Sequence, residues 1–425
     1  MSRQVCLACG HEMPETDSHP RCRRCDGLLE IRHPPPDATA AELRQRFDER
    51  LGGTAGVAAS GVWRFREIVL PSASEVVSHP EGNTPLLQRQ ALDRWTGLTG
   101  LLLKHEGHNP TGSFKDRGMT VGITQARRIG APAVACASTG NTSASLAAYA
   151  SQAEIPALVL VPAAGVALGK LAQALAYGAR TLLVRGDFDD CLRLVQEAST
   201  RLGVYLLNSI NPFRLEGQKT IVLEMLQQLA WDPPDWIVLP AGNLGNTAAF
   251  GKALREAREW GLIARVPRLA AVQAAGAAPF ARSYDEGFAR RHTVKAETVA
   301  TAIRIGDPAS YERAVRSIRE TDGVVLAVDD SDLLEAKAAI DACGVGCEPA
   351  SAASVAGVRA LVRRRIIRPD DRVVAVLTGH LLKDPGILLH YHREMDPPPP
   401  GANRPIEIEP RLQDVEAVLR DVSEP

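Results

Sequence analysis

From about residue 100 onward, short apolar runs rich in Val, Leu and Ala alternate with longer helical stretches, and this rhythm constrains the fold more than any other feature of the chain. Apolar strands separated by helices belong to mainly parallel sheets covered on both faces. The strand candidates are Leu101–Lys104, Ala133–Ser138, Ala157–Val161, Thr181–Val184, Val204–Leu207, Trp236–Pro240, Leu269–Gln273, Val324–Val328 and Val373–Leu377. Several of the intervening helices end at glycine, as at Gly130, Gly178 and Gly203, the residue suited to a helix C-terminus. The expectation is an α/β protein of more than one domain, because 425 residues exceed a single ordinary core. Helices are also predicted over Ala40–Leu51, Ala248–Trp260 and, in the tail, Leu412–Val422. The segments His33–Asp37 and Asp396–Gly401 are proline-rich and read as stiff linkers.

The net charge of −1 argues against a nucleic-acid partner. The run Arg363-Arg364-Arg365 falls at a predicted helix end, where cations offset the helix dipole. No stretch is long and apolar enough to cross a bilayer, so no membrane role is expected. Met1-Ser2-Arg3-Gln4-Val5 lacks the apolar core of a secretory signal, and the expected location is cytoplasmic.

The eight cysteines form two sets. Cys136, Cys191, Cys343 and Cys347 are scattered and read as small buried hydrophobes. Cys6, Cys9, Cys22 and Cys25 form C-x2-C-x12-C-x2-C, the spacing of a four-thiolate zinc ribbon. Zinc would supply folding energy that a module of this size cannot gain from a core. Four cysteines leave no open metal position, so the predicted zinc is structural. His11 and His19 are not needed as ligands.

Chemistry concentrates in four loops that follow predicted strands. In Asn109-Pro110-Thr111-Gly112-Ser113-Phe114-Lys115-Asp116 a lysine sits among small, turn-forming residues. There are eight lysines against 41 arginines, so few positions can hold an aldehyde cofactor. A lysine attacks a carbonyl only when neutral, which requires a desolvated niche or a nearby cation. Leu239-Pro240-Ala241-Gly242-Asn243-Leu244-Gly245-Asn246-Thr247 joins a strand to a helix and can cradle a phosphate on backbone N–H groups. An ordinary strand-to-helix turn would look similar. Ser138-Thr139-Gly140-Asn141-Thr142 suits a carboxylate, though N-cap turns use the same residues. Thr378-Gly379-His380 ends the last strand, and ligands collect beyond the carboxyl ends of parallel strands. His105 and His108 read as wall residues, and Lys104, Lys170, Lys219 and Lys383 as surface or supporting charges.

A lysine for an aldehyde, a cradle for a phosphate and a loop for a carboxylate together suggest pyridoxal phosphate acting on an amino acid. The chain resembles the threonine synthase family of the tryptophan-synthase-β-like, fold type II enzymes. The resemblance runs from Glu81-Gly82-Asn83-Thr84-Pro85-Leu86 through the loops above to Thr378-Gly379-His380-Leu381-Leu382-Lys383-Asp384-Pro385. It includes the segments at 208–220, 300–310 and 348–354. It implies two α/β domains with the cofactor between them. The expected divisions are a zinc ribbon at 1–31, a first part of the large domain at 32–118, a small α/β domain at 119–205, the rest of the large domain at 206–395, and a tail at 396–425.

The resemblance also implies roles. Lys115 would carry the cofactor as an internal aldimine and then act as base and acid. Phe114 would flank the ring, Asn141 would bond its 3′ oxygen, and Thr378 would face its nitrogen. Gly242, Asn243, Leu244, Gly245 and Asn246 would hold its phosphate. Ser138, Thr139 and Thr142 would hold the substrate carboxylate, and Asn208, Ser209 and Arg214 the substrate phosphate. The implied reaction converts O-phospho-L-homoserine and water to L-threonine and phosphate, in a homodimer. The chain departs from the family pattern in Pro162–Lys170, which lacks the family's lysine ahead of Ala167-Leu168-Gly169-Lys170, at Asp307 in place of asparagine, and at Leu381 in place of glycine. Those changes leave open a cysteate-synthase-like replacement on O-phosphoserine with sulfite, threonine or serine dehydration, or another amino-acid lyase. A silent, zinc-bearing scaffold is the reading from outside enzymology.

Overall fold

The computed structural model describes residues 2–164 and 168–423. It separates into a body through Asp384 and a C-terminal unit from Pro385 onward. The body holds three sheets. The first is a small antiparallel ribbon of β1 (Arg3–Cys6), β2 (Glu12–Pro14) and β3 (Leu29–Arg32), in the order β2-β1-β3. The largest is six-stranded and is built from β4 (Leu86–Gln88), β5 (Leu102–His105), β10 (Trp236–Pro240), β11 (Arg268–Ala274), β12 (Val324–Val328) and β13 (Val373–Leu377). Between β5 and β10 the chain forms a four-stranded sheet of β6 (Val134–Ala137), β7 (Ala157–Pro162), β8 (Arg180–Val184) and β9 (Tyr205–Leu206).

Strand order is β12-β11-β10-β13-β5-β4 in the large sheet and β8-β7-β6-β9 in the smaller one. All pairs in both are parallel except β4 with β5. Strands β10 and β13 are buried along their whole length, as runs covered on both faces must be. The glycines at 130, 178 and 203 sit at φ of +65°, +80° and +69°, the left-handed caps that the sequence predicts.

Three strands match the predicted bounds without change: β10, β12 and β13. The predicted Val204–Leu207 shortens to Tyr205–Leu206, because only two of its residues pair with β6. The edge strand β4 is absent from the predictions; it is three residues long and pairs antiparallel, so it carries no alternation to detect. The predicted helices at 40–51 and 248–260 run over Ala40–Glu49 and Gly245–Glu259. The tail unit carries the helix Leu412–Ser423, as expected for 412–422. Residues 165–167 of the divergent loop lie outside the described residues.

The ribbon is bonded into the body through backbone carbonyls and charges. Lys252 donates to Ile31 O and Arg313 to Leu29 O. Glu30 pairs with Arg255 at 3.1 Å and with Arg316. His33, just past β3, bonds Glu216 at 2.9 Å, and Glu216 also pairs with Lys219 at 2.5 Å and with Lys252. Glu216, Lys252, Arg255, Arg313 and Arg316 lie on the helices Pro212–Gln218, Gly245–Glu259 and Tyr311–Glu320, two of which border the candidate site, and Lys219 follows the first of them.

Candidate active site

The four loops singled out in the sequence follow the carboxyl ends of β5, β6, β10 and β13. Ser113 forms an isolated antiparallel bridge with Gly379, and Phe114 N donates to Thr378 O at 3.0 Å, which joins the first loop to the last. Lys115 is the first residue of the helix Lys115–Arg128. The preceding turn is fixed by Asp116, whose carboxylate accepts from Thr111 N at 2.7 Å and Thr111 Oγ1 at 2.6 Å.

Behind this turn lies a buried ionic cluster. Arg117 pairs with Glu106 at 2.7 Å and Glu224 at 2.8 Å, and Glu224 also meets Lys104 at 2.6 Å and Arg64 at 3.2 Å. Thr84 N donates to the same Glu224 carboxylate at 2.9 Å. Buried charge persists only when paired and hydrogen-bonded, so this cluster is a rigid footing for the start of the helix.

The Lys115 amine lies 4.1 Å from the centroid of the Phe114 ring. Desolvation, reinforced by the Arg214 charge and opposed by Glu348, draws its pKa down to about 7. Neutral amine is therefore available near neutral pH, the state that attacks an aldehyde. Arg214, buried in the helix Pro212–Gln218, donates to Leu207 O at 3.1 Å, and its Nε has no partner. Burial holds its pKa down to about 10, and the Cys136 thiol opposes that shift. Among the described residues no carboxylate pairs with it, and a buried cation without a paired anion is an open demand for one.

The loop after β10 has the form of an anion cradle. A Cβ on Gly242 would lie 3.0 Å from Ile303 Cα, so the backbone runs too close to the 301–303 turn for a side chain. Leu244 takes φ +63°, a left-handed conformation. Beyond it the Gly245–Glu259 helix begins, with Asn246 Oδ1 and Thr247 Oγ1 buried and, among the described residues, without a hydrogen-bond partner. Asn243 is tied back instead, its Oδ1 accepting from Ala309 N at 3.3 Å. The backbone N–H groups at this helix N-terminus suit a phosphate, and the Lys115 amine of lowered pKa suits an aldehyde; the two fit a phosphorylated aldehyde such as pyridoxal phosphate.

The remaining predicted residues line the same region in unequal ways. Ser138, Thr139, Asn141 and Thr142 lie half-buried around the start of the helix Asn141–Gln152. Asn141 Nδ2 donates to Glu348 Oε2 at 2.8 Å. Thr378, at the end of β13, donates to Glu348 Oε1 at 3.0 Å. Asn208 is already engaged: its Oδ1 accepts from Ala137 N at 3.0 Å and its Nδ2 donates to Ala137 O at 3.1 Å. It clamps the end of β6 to the Arg214 segment, and Ser209 follows it half-buried.

Sequence reasoning missed two residues here. Glu348 was visible only within the motif at 348–354, without a role. Lys383 reads as an outer charge in the sequence, yet its amine donates to Gln173 and feels the charges of Glu348 and Asp116, and burial lowers its pKa. Of the departures, Asp307 is exposed and paired with Arg291 at 2.5 Å, and Leu381 packs beside Gly346. Among the described residues, His105 and His108 stack edge-on at 4.6 Å, and His105 Nε2 bonds Gly346 O at 2.8 Å, as wall residues do.

In the ribbon, the Sγ atoms of Cys6, Cys9, Cys22 and Cys25 lie within 4.8 Å of one another. Three separations are 3.4 Å for Cys6 with Cys25, 3.7 Å for Cys9 with Cys22 and 3.3 Å for Cys9 with Cys25. Tetrahedral zinc with bonds of about 2.3 Å sets its sulfurs about 3.8 Å apart, so the four thiols fit such an ion after a small expansion.

Fold and site together define a pyridoxal-phosphate enzyme of fold type II. The family of pyridoxal-phosphate dependent enzymes matches residues 77–379. The threonine synthase of Methanosarcina acetivorans is 46% identical over 391 residues, covering 92% of this chain and 94% of that protein. The threonine synthase of Methanocaldococcus jannaschii is 41% identical over 422 residues, covering 99% and 100%. The solved structure of Escherichia coli threonine synthase superposes with a TM-score of 0.67 at 18% identity, covering all of both chains, a likeness of fold. The chain belongs to the pyridoxal-phosphate dependent enzyme family and, within it, to the threonine synthases.

Proposed function

We propose that the chain converts O-phospho-L-homoserine and water to L-threonine and phosphate, with Lys115 as the cofactor-bearing base. The buried Arg214 guanidinium carries the choice of a phosphorylated substrate, because among the described residues no carboxylate pairs with it and its Nε has no partner. Its relatives named threonine synthases support the same reading.

Bound at Lys115, pyridoxal phosphate supplies an electron sink that lets protons leave the carbons next to the substrate amine. The chain's own groups do the rest. Gly242, Asn243, Leu244, Gly245 and Asn246 would hold the cofactor phosphate through the backbone N–H groups at the start of the Gly245–Glu259 helix. Phe114 walls the ring, and Asn141 and Thr378 meet its polar edge. Ser138, Thr139 and Thr142 receive the substrate carboxylate at the N-terminus of the Asn141–Gln152 helix. Arg214 and Ser209 hold the departing phosphate, and Asn208 keeps that segment against β6. Lys115 Nζ, freed when the substrate amine takes its place, takes a proton from Cα and then one from Cβ; phosphate leaves from Cγ, one proton goes to Cγ, the hydroxyl of water adds at Cβ with its proton passing to phosphate, and Lys115 returns the other proton to Cα. One amine can serve adjacent carbons because its pKa of about 7 lets it both accept and release protons at neutral pH.

The ribbon holds one structural zinc through Cys6, Cys9, Cys22 and Cys25 in this proposal. Residues 119–205 form the small domain, flanked by 32–118 and 206–395 of the large one, with 1–31 as ribbon and 396–425 as tail. The working form is a cytoplasmic homodimer. Among the described residues, no helix is long and apolar enough to cross a membrane.

Steady-state kinetics test the substrate. The proposal predicts a far higher kcat/KM for O-phospho-L-homoserine than for O-phosphoserine with sulfite. Arg214→Leu raises KM by about 100-fold, the scale of removing one partner from a buried charge pair. Equal KM in the variant and the parent would remove Arg214 from phosphate binding.

A further inference from the structure

Glu348 completes a hydrogen-bonded unit to which the sequence assigns no role. It precedes the helix Pro349–Arg363 with extended backbone, φ −65° and ψ 154°, and its side chain makes no capping bond to that helix. The carboxylate turns into the site instead and bridges two loops. Oε2 accepts from Asn141 Nδ2 at 2.8 Å, and Oε1 accepts from Thr378 Oγ1 at 3.0 Å.

A count of donors fixes the direction of these bonds. Ser351 Oγ accepts from Thr378 N at 2.8 Å and from Gly379 N at 3.0 Å, which uses both its lone pairs. Its own hydrogen therefore goes to Thr378 Oγ1, 3.0 Å away. The Thr378 hydrogen goes to Glu348. The carboxyl group is pressed against the Gly379 backbone: a Cβ there would lie 2.5 Å from Glu348 Cδ. Burial raises the pKa of Glu348, while its bonds to Asn141 and Thr378 and the facing charges of Lys383 and Lys115 oppose that rise. A buried carboxyl with two dedicated donors, and no part in its own helix cap, is costly unless it organises what it touches.

We propose that Glu348 is a positioning residue for the cofactor ring: by tying Asn141, beside β6, to Thr378, at the end of β13, it sets the spacing of the two groups that meet the ring's polar edge. The proposal rests on the assignment of Asn141 and Thr378 as ring partners. It makes Gly379 part of the device, since only glycine leaves room for the carboxyl group.

The test uses full-length apoprotein titrated with pyridoxal phosphate, following the dissociation constant and the position of the visible band of the bound cofactor. E348A, E348Q and G379A bind about tenfold more weakly, as expected for loss of a buried charge-assisted bond, and their bands shift from that of the parent. G379A adds nothing on top of E348A, because the Cβ then has space; this non-additivity separates one shared device from two independent injuries. E348Q keeps the side-chain volume and carries the test where E348A fails to fold. A parent that takes up no cofactor, or takes it up unchanged in Lys115→Ala, overturns the reading of the site and this proposal with it. A parent that binds through Lys115, with E348Q matching it in affinity and band, overturns the Glu348 proposal alone.

Discussion

Lys115 owes its chemistry to its surroundings. Desolvation and the Arg214 charge bring its pKa to about 7, so most of its amine is neutral a unit above that. The rate at which apoprotein combines with pyridoxal phosphate should rise with pH through about 7 and level off above it. An ordinary lysine would keep gaining rate toward 10. Stopped-flow absorbance across that range distinguishes the two. Lys115 itself was legible in the sequence, because few lysines compete and its neighbours announce a loop. Glu348 was not, because its motif carries no sign of direction: only the backbone at 348, extended and uncapped, turns the side chain toward Asn141 and Thr378. Asn208 was legible as a site residue but not in its task, since its clamp on Ala137 is a contact across 71 positions of sequence.

At the scale of elements, strand-to-helix turns do the positioning, and their tolerance is small. In Gly242→Ala the new Cβ meets Ile303 Cα at 3.0 Å, so the loop after β10 must move away from the 301–303 turn. Cofactor affinity should fall about tenfold, as one backbone donor to the phosphate is lost, with the fold retained; equilibrium titration measures it. The footing under the Lys115 helix is charged, and it responds to a different change. Glu224→Leu leaves Arg117, Lys104 and Arg64 facing each other in a buried space, which should cost about 3–5 kcal/mol in denaturant unfolding. Those cations hold the Glu224 carboxyl well below the usual range against the opposing effect of burial. The cluster's contribution is therefore complete above the carboxyl's unfolded pKa of about 4.3 and is lost as pH falls toward its lower folded value. The alternation of apolar runs revealed which elements exist, because parallel strands must be apolar on both faces. It could not reveal β4, whose place is fixed by pairing with β5 rather than by its own pattern.

Across the whole molecule, the ribbon is bonded to the helix whose first turn is the proposed phosphate cradle. Lys252, on the Gly245–Glu259 helix, donates to Ile31 O, and Glu216 joins that lysine to His33. Metal analysis should find one zinc per chain, and its removal should lower both thermal stability and cofactor affinity. Replacing Cys9 and Cys25 with serine should do the same, while leaving any cofactor that does bind with an unaltered visible band. Full cofactor affinity without zinc would mean that the ribbon is an appendage.

Turnover of the proposed substrate is the decisive assay. Purified, cofactor-loaded protein is given O-phospho-L-homoserine, and threonine and phosphate are followed together, with Lys115→Ala alongside. The parent should give equal amounts of both products and the variant neither. Phosphate without threonine, or no turnover by a protein that shows the visible band of bound cofactor, would contradict the proposed reaction.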